Sequence, residues 1–129
     1  MTLVLDASAF AEIVLGGATS SALVAHAEAD RDWAVPEHFT VEVASALRGA
    51  WLGGLLSDAA FPVAVQRLAD AGLVTWPVRP LLPRIVELAP NVSAYDAAYL
   101  VLAERLYVPL LSADRRLRKV PGAHCRFLG

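Results

Sequence analysis

The chain has 129 residues, of which 57% are hydrophobic and 19% charged, and its formal net charge is −2. That balance excludes a disordered segment, leaves room for one hydrophobic core and supplies no global positive field to draw the chain to nucleic acid. Mean hydropathy is high at +0.50, yet no run reaches the roughly 18 uninterrupted apolar residues of a membrane span, so the excess reads as surface buried against partners.

Residues 2–5 predict a short buried strand, and residues 6–15 a helix that Gly16 and Gly17 end. Thr19 or Ser20 caps a second helix to about residue 29, and residues 33–35 form a brief strand stopped by Pro36. Between 37 and 51, Phe39, Val43, Ala46, Leu47 and Ala50 recur at helical spacing. Ser57 caps a helix over 58–71, Gly72 ends it, and residues 73–76 make a strand. A helix over 81–88 follows, then a long one to Leu106 opened by Ser93, with Tyr95, Tyr99, Leu102 and Leu106 on its buried side. Residues 109–111 form a strand, Asp114 begins a short basic helix, and 126–128 are a last strand.

Short apolar strands alternating with helices predict an α/β fold with a mainly parallel central sheet flanked by helices. In such sheets ligands bind beyond the carboxyl ends of the strands. One cysteine, Cys125, excludes an internal disulfide, and His26, His38 and His124 lack the spacing of a zinc site. The amino-terminal residues have no basic segment and meet Asp6 before any apolar core of a signal peptide, so the expected location is the cytoplasm.

Attention falls on four acids. Asp6 follows the first strand, Asp114 follows the strand at 109–111, and Glu42 and Asp96 sit early in two long helices. Each Asp also reads as a helix cap, whereas Glu42 lies among Val41, Val43 and Ala44, where an unpartnered carboxylate is rare. Together they are a set of hard oxygen donors suited to Mg²⁺ or Mn²⁺, and such a site binds a phosphate-bearing substrate through the metal, lowers the pKa of bound water and clamps an in-line displacement. Arg115, Arg116, Arg118 and Lys119 fall within five positions and place positive charge beside Asp114. They read either as a solvated face or as phosphate contacts. A haloacid-dehalogenase phosphatase needs a second Asp where this chain has Ser8, and a response-regulator receiver needs an acidic pair near Asp6 that is absent.

Four segments carry a resemblance: residues 4–9 (Val-Leu-Asp-Ala-Ser-Ala), 42–47 (Glu-Val-Ala-Ser-Ala-Leu), 95–100 (Tyr-Asp-Ala-Ala-Tyr-Leu) and 111–117 (Leu-Ser-Ala-Asp-Arg-Arg-Leu). In this order and spacing the sequence resembles the PIN-domain family, most closely the VapC-type ribonuclease toxins. The resemblance implies a single three-layer domain over 1–129 and a metal site built by Asp6, Glu42, Asp96 and Asp114. Ser112 matches a supporting hydroxyl position, and Ser8 stands where a small hydroxyl residue is usual. Ser45 departs from the Asn that many relatives carry, and Glu12 and Glu104 read as solvated or rim acids. The implied function is a Mg²⁺- or Mn²⁺-dependent endoribonuclease, with an RNA substrate and an inhibiting cognate antitoxin. The rival is a catalytically silent PIN-like module that binds RNA or protein. The excess apolar surface predicts a homodimer through the Ala-, Leu- and Trp51-bearing helices between residues 37 and 71.

Overall fold

The structure, a computed structural model, describes residues 2–129; Met1, the first residue of the expected domain, lies outside the described residues. Four short strands, β1 (Leu3–Leu5), β2 (Trp33–Pro36), β3 (Leu73–Trp76) and β4 (Leu110–Leu111), pair in parallel in the order β3-β2-β1-β4. Val4 stands opposite Ala34 on one side and Leu110 on the other. β1 is buried throughout, which is why it reads as a continuous apolar run without alternation. β3 is one edge of the sheet, and most of it faces outward. The strand expected at 126–128 is reduced to one parallel bridge between Leu110 and Phe127. Its cause is short reach, since among the described residues only the Leu110 and Leu128 N–H groups find carbonyls across the gap, at 2.8 and 3.0 Å.

The helices are α1 (Ala7–Leu15), α2 (Ser20–Ala29), α3 (Phe39–Leu52), α4 (Ala60–Asp70), α5 (Leu82–Leu88) and α6 (Ala94–Leu106), so the expected elements are present with ends moved by a few residues. Gly16 stops α1 at φ +67°, where its N–H reaches the Glu12 and Ile13 carbonyls, a conformation that favours glycine. The expected basic helix is a 3₁₀ turn at Arg115–Lys119, opened by Asp114, whose carboxylate accepts the Arg116 N–H.

α6 departs most from its expected pattern. It is buried on every side from Ala97 to Ala103, whereas Tyr95 is 67% exposed. The first turn of α6 projects past the packed region, so the face that holds Tyr99 inside leaves Tyr95 outside. α6 packs on β1, β2 and β4 with α5 against it, while α1 packs on α2 and α3, and α3 on α4. Among the described residues no single helix is long and apolar enough to cross a membrane.

Strand order reverses between β1 and β4, the place where open parallel sheets form a crevice at their carboxyl ends. Asp6 leaves β1 there, its N–H donating to the Leu111 carbonyl at 3.1 Å.

Candidate active site

Asp6 is a cap and more than a cap. Its Oδ1 accepts the Ala9 N–H at 2.9 Å, which closes the first turn of α1, and also the Ser8 hydroxyl at 2.7 Å. Oδ2 accepts the Ser112 hydroxyl at 2.5 Å from the loop after β4. The residue is only 3% exposed. Burial pushes its carboxyl up to about 6, against the pull of those three donors and with a further push from Asp96. Ser8 and Ser112 are each used twice: Ser8 Oγ accepts the Ala113 N–H at 3.1 Å, and Ser112 Oγ accepts the Asp114 N–H at 3.0 Å. The two hydroxyls therefore stitch α1 to the β4 loop around one carboxylate.

Glu42 lies in the first turn of α3. The Tyr99 hydroxyl donates to its Oε1 at 3.2 Å, and His38, one turn earlier, places Nε2 3.6 Å from Oε2. The His38 ring also lies against the rings of Tyr95 and Tyr99 and within 3.2 Å of the Tyr95 carbonyl oxygen. Burial raises the Glu42 carboxyl, while His38 and Tyr99 oppose it and Asp96 adds to it. Asp96 sits in the first turn of α6, where its N–H donates to the capping Ser93 hydroxyl at 3.2 Å. Burial and then the Asp114 charge raise its carboxyl.

Asp96 is thus the centre of the group: it acts on Asp6 and Glu42, and Asp114 acts on it. Asp114 itself is turned to a cation. Arg116 donates Nε to Oδ1 at 3.0 Å and Nη2 to Oδ2 at 2.8 Å, a two-pronged pair that holds the Asp114 carboxyl below the usual range. Among the described residues, no three His, Cys, Asp or Glu side chains stand close enough together to hold a metal ion as placed. The repulsion among the acids runs through Asp96, which pushes on Asp6 and Glu42 and is itself pushed by Asp114.

The basic run divides by role. Arg116 pairs with Asp114, and Arg118 donates to the Leu128 and Gly129 carbonyls at 2.8 and 3.1 Å and lies over the Phe127 ring. Arg115 and Lys119 have no hydrogen-bond or ion-pair partner among the described residues. Ser45 is exposed on α3 and does not reach the acids. Glu104 is no rim residue: its carboxylate takes the Arg84 guanidinium at 3.0 Å and the His124 N–H at 2.6 Å, joining α6 to α5 and the terminal segment. Glu12 accepts the Thr19 N–H and hydroxyl across the α1–α2 turn. Sequence reasoning missed Tyr99 and His38 as the partners of Glu42. The signal was spacing: His38 is four residues before Glu42 on one helical face, and Tyr99 three after Asp96 on another.

A family model for the PIN domain matches residues 3–123. The chain belongs to the PIN-domain family. Within it, the chain is a VapC-type protein. It is 36% identical to ribonuclease VapC12 of Mycobacterium tuberculosis over 93% of its own length and 92% of that protein's. It is 37% identical to ribonuclease VapC9 of the same organism, over 95% and 94% of the two chains. Among solved structures, a protein from Pyrobaculum aerophilum superposes with a TM-score of 0.65 at 25% identity, covering 95% of this chain and 82% of that one. VapC20 of Mycobacterium tuberculosis, a sarcin–ricin loop cleaving toxin, superposes with a TM-score of 0.68 at 16% identity over 96% and 98%. That second likeness speaks for the fold alone.

Proposed function

We propose that this PIN domain is a metal-dependent endoribonuclease toxin, active in the cytoplasm and held in check by a cognate antitoxin. Asp6, Glu42, Asp96 and Asp114 would hold Mg²⁺ or Mn²⁺. The observation that carries the reading is Asp6: a carboxylate buried at the carboxyl end of β1, pushed on by the Asp96 charge and paired with no cationic side chain among the described residues. Burying it there is costly without a counter-charge, and a hard divalent ion fits a donor set made of carboxylate oxygens. Asp114 completes that set once it leaves Arg116.

A bound divalent cation would relieve the repulsion, polarise the scissile phosphate and make water a better nucleophile. The protein's own contribution is position. Ser8, Ser112 and the Ala9 N–H fix both Asp6 oxygens, and Tyr99 fixes one oxygen of Glu42. Arg115, Arg118 and Lys119 lie on the 3₁₀ turn beside Asp114, where positive charge can hold flanking RNA phosphates.

Purified cellular RNA incubated with the protein and Mn²⁺ should be cut to products with 5′-phosphate and 3′-hydroxyl ends, and excess chelator should stop the reaction. Products with 2′,3′-cyclic phosphate, or cutting that survives chelation, contradict this chemistry. RNA that is bound but never cut would favour the silent binding module instead.

The Arg116 pair makes a separate prediction. Arg116→Ala frees Asp114 for a cation, so Mn²⁺ should bind about two- to fivefold tighter by calorimetry, the range an exposed ion pair allows. Unchanged or weaker binding would show that Asp114 does not exchange partners.

The proposed homodimer rests on the α3–α4 surface. Val41, Leu52, Leu55 and Val63 are exposed there, and Trp51 stacks on Phe61 at 4.8 Å while its indole N–H donates to Asp58. A hollow at this surface is lined by Val41, Ala44, Phe61 and Val65. Light scattering at micromolar concentration should give a dimer mass, and Val41→Lys should shift it toward monomer. A monodisperse monomer from the unaltered chain removes the dimer.

A further inference from the structure

We propose that a pocket adjoining the acids through Ser112 binds one nucleotide of a single-stranded RNA beside the scissile bond. The ligand class rests on the ribonuclease reading, whereas the pocket and its charge do not. Its volume is about 250 Å³, and it is lined by Thr19 just before α2, by Leu23 and His26 of α2, and by Ser112, Arg115 and Arg118. That is below the roughly 300–1,000 Å³ of sites for whole small-molecule ligands, a size for part of a chain.

Charge sets the ligand's sign. No Asp or Glu side chain lines the pocket, and the Gly129 main-chain oxygen there is met by Arg118, whereas Ser112, which also lines it, donates to Asp6. Arg118 is committed to the Leu128 and Gly129 carbonyls and shapes one wall. Arg115 has no hydrogen-bond or ion-pair partner among the described residues, and neither does His26. A guanidinium left unpaired at a pocket suits the two oxygens of a phosphate.

The remaining wall sets the ligand's shape. Leu23, Leu111 and Leu128 give apolar surface, and the His26 ring can stack on a base, the way unpaired bases are held in single-stranded RNA. A duplex base has no free face for such a wall, so the pocket selects unpaired RNA. Because Ser112 lines the pocket and also donates to Asp6, the bound nucleotide lies directly beside the phosphate at the acids.

The test uses the full chain with chelator present, so that the acids play no part through a metal ion. Adenosine 5′-monophosphate and inorganic phosphate are titrated separately while amide resonances of Thr19, His26, Ser112 and Leu128 are followed by NMR. The nucleotide should shift these amides saturably and bind at least about tenfold tighter than phosphate, and Arg115→Met should weaken it by about tenfold or more, the range for loss of a charged hydrogen bond. Absence of these shifts, equal affinity for phosphate alone, or displacement of the nucleotide by an acidic peptide that binds tighter would overturn the proposal. The two readings separate cleanly. Saturable nucleotide binding in a chain that cuts no RNA supports the pocket and removes the nuclease; RNA cutting without nucleotide shifts removes the pocket and leaves the nuclease.

Discussion

Asp6→Asn should make the metal-free protein more stable at pH 7, by about 1–3 kcal/mol, while nearly abolishing RNA cleavage. The native carboxyl titrates near 6 against 3.8 for a free one, so the native state binds this proton more tightly than the unfolded chain does. Stability contributed by that proton is full near pH 4 and is lost as pH rises to about 6; above that the ionised, buried Asp6 is a fixed cost. Asn keeps the shape and can still accept the Ala9 N–H and the Ser8 hydroxyl, and its amide can donate to Ser112 Oγ. It never ionises. The advantage of the variant in urea unfolding should therefore be present at pH 7 and vanish near pH 4. The activity loss should exceed the roughly 10–100-fold that a supporting residue costs at a metal site. If Asp6 served only as a cap, Asn would cap equally well, and RNA cleavage would survive the substitution.

Ser112→Ala should move stability the other way. It removes the donor to Asp6 Oδ2 and the acceptor for the Asp114 N–H, leaving a buried charge with an unmet oxygen. A loss of about 2 kcal/mol is expected at pH 7, and less near pH 4, where Asp6 is protonated and carries no charge to satisfy. The lost donor also raises the Asp6 carboxyl further, because that hydrogen bond favours the charged form. In the Asp6→Asn background the same substitution should cost about 1 kcal/mol less, the sign that the two residues act as one unit. Equal costs in the two backgrounds would mean that Ser112 supports the loop and not the carboxylate.

Much of this arrangement was legible in the sequence, because the parts that place the acids are local. An apolar run that ends in Asp6, a Gly16 stop and a Ser93 cap each have one good structural solution. The parallel sheet follows from short strands separated by helices, and it brings the ends of β1 and β4 together without further instruction. What the sequence withheld depends on contacts between distant segments. Tyr95 and Tyr99 look alike on a helical wheel, and only the packing of α6 under the sheet decides that one is covered and the other is not. Glu104 looked like a solvated acid because its partner, Arg84, lies 20 residues away on α5. Four neighbouring cations looked like one patch, yet the 3₁₀ turn sends Arg116 to Asp114, Arg118 to the terminal carbonyls and Arg115 to a pocket. A shared sign gives no hint of that division.

The central claim is that Asp6, Glu42, Asp96 and Asp114 act as one divalent-cation site, and Asp96 is the residue whose charge touches the most of them. The decisive measurement is the thermal midpoint of the unaltered chain and of Asp96→Asn at pH 7, each in chelator and then in millimolar Mn²⁺. A ligand at about 100 times its Kd adds roughly 2.7 kcal/mol to the native state, a gain of several degrees in a domain of this size. The unaltered chain should show such a gain and Asp96→Asn, folded and no less stable in chelator, should show little of it. Equal gains in the two proteins would place any bound Mn²⁺ elsewhere and contradict the site.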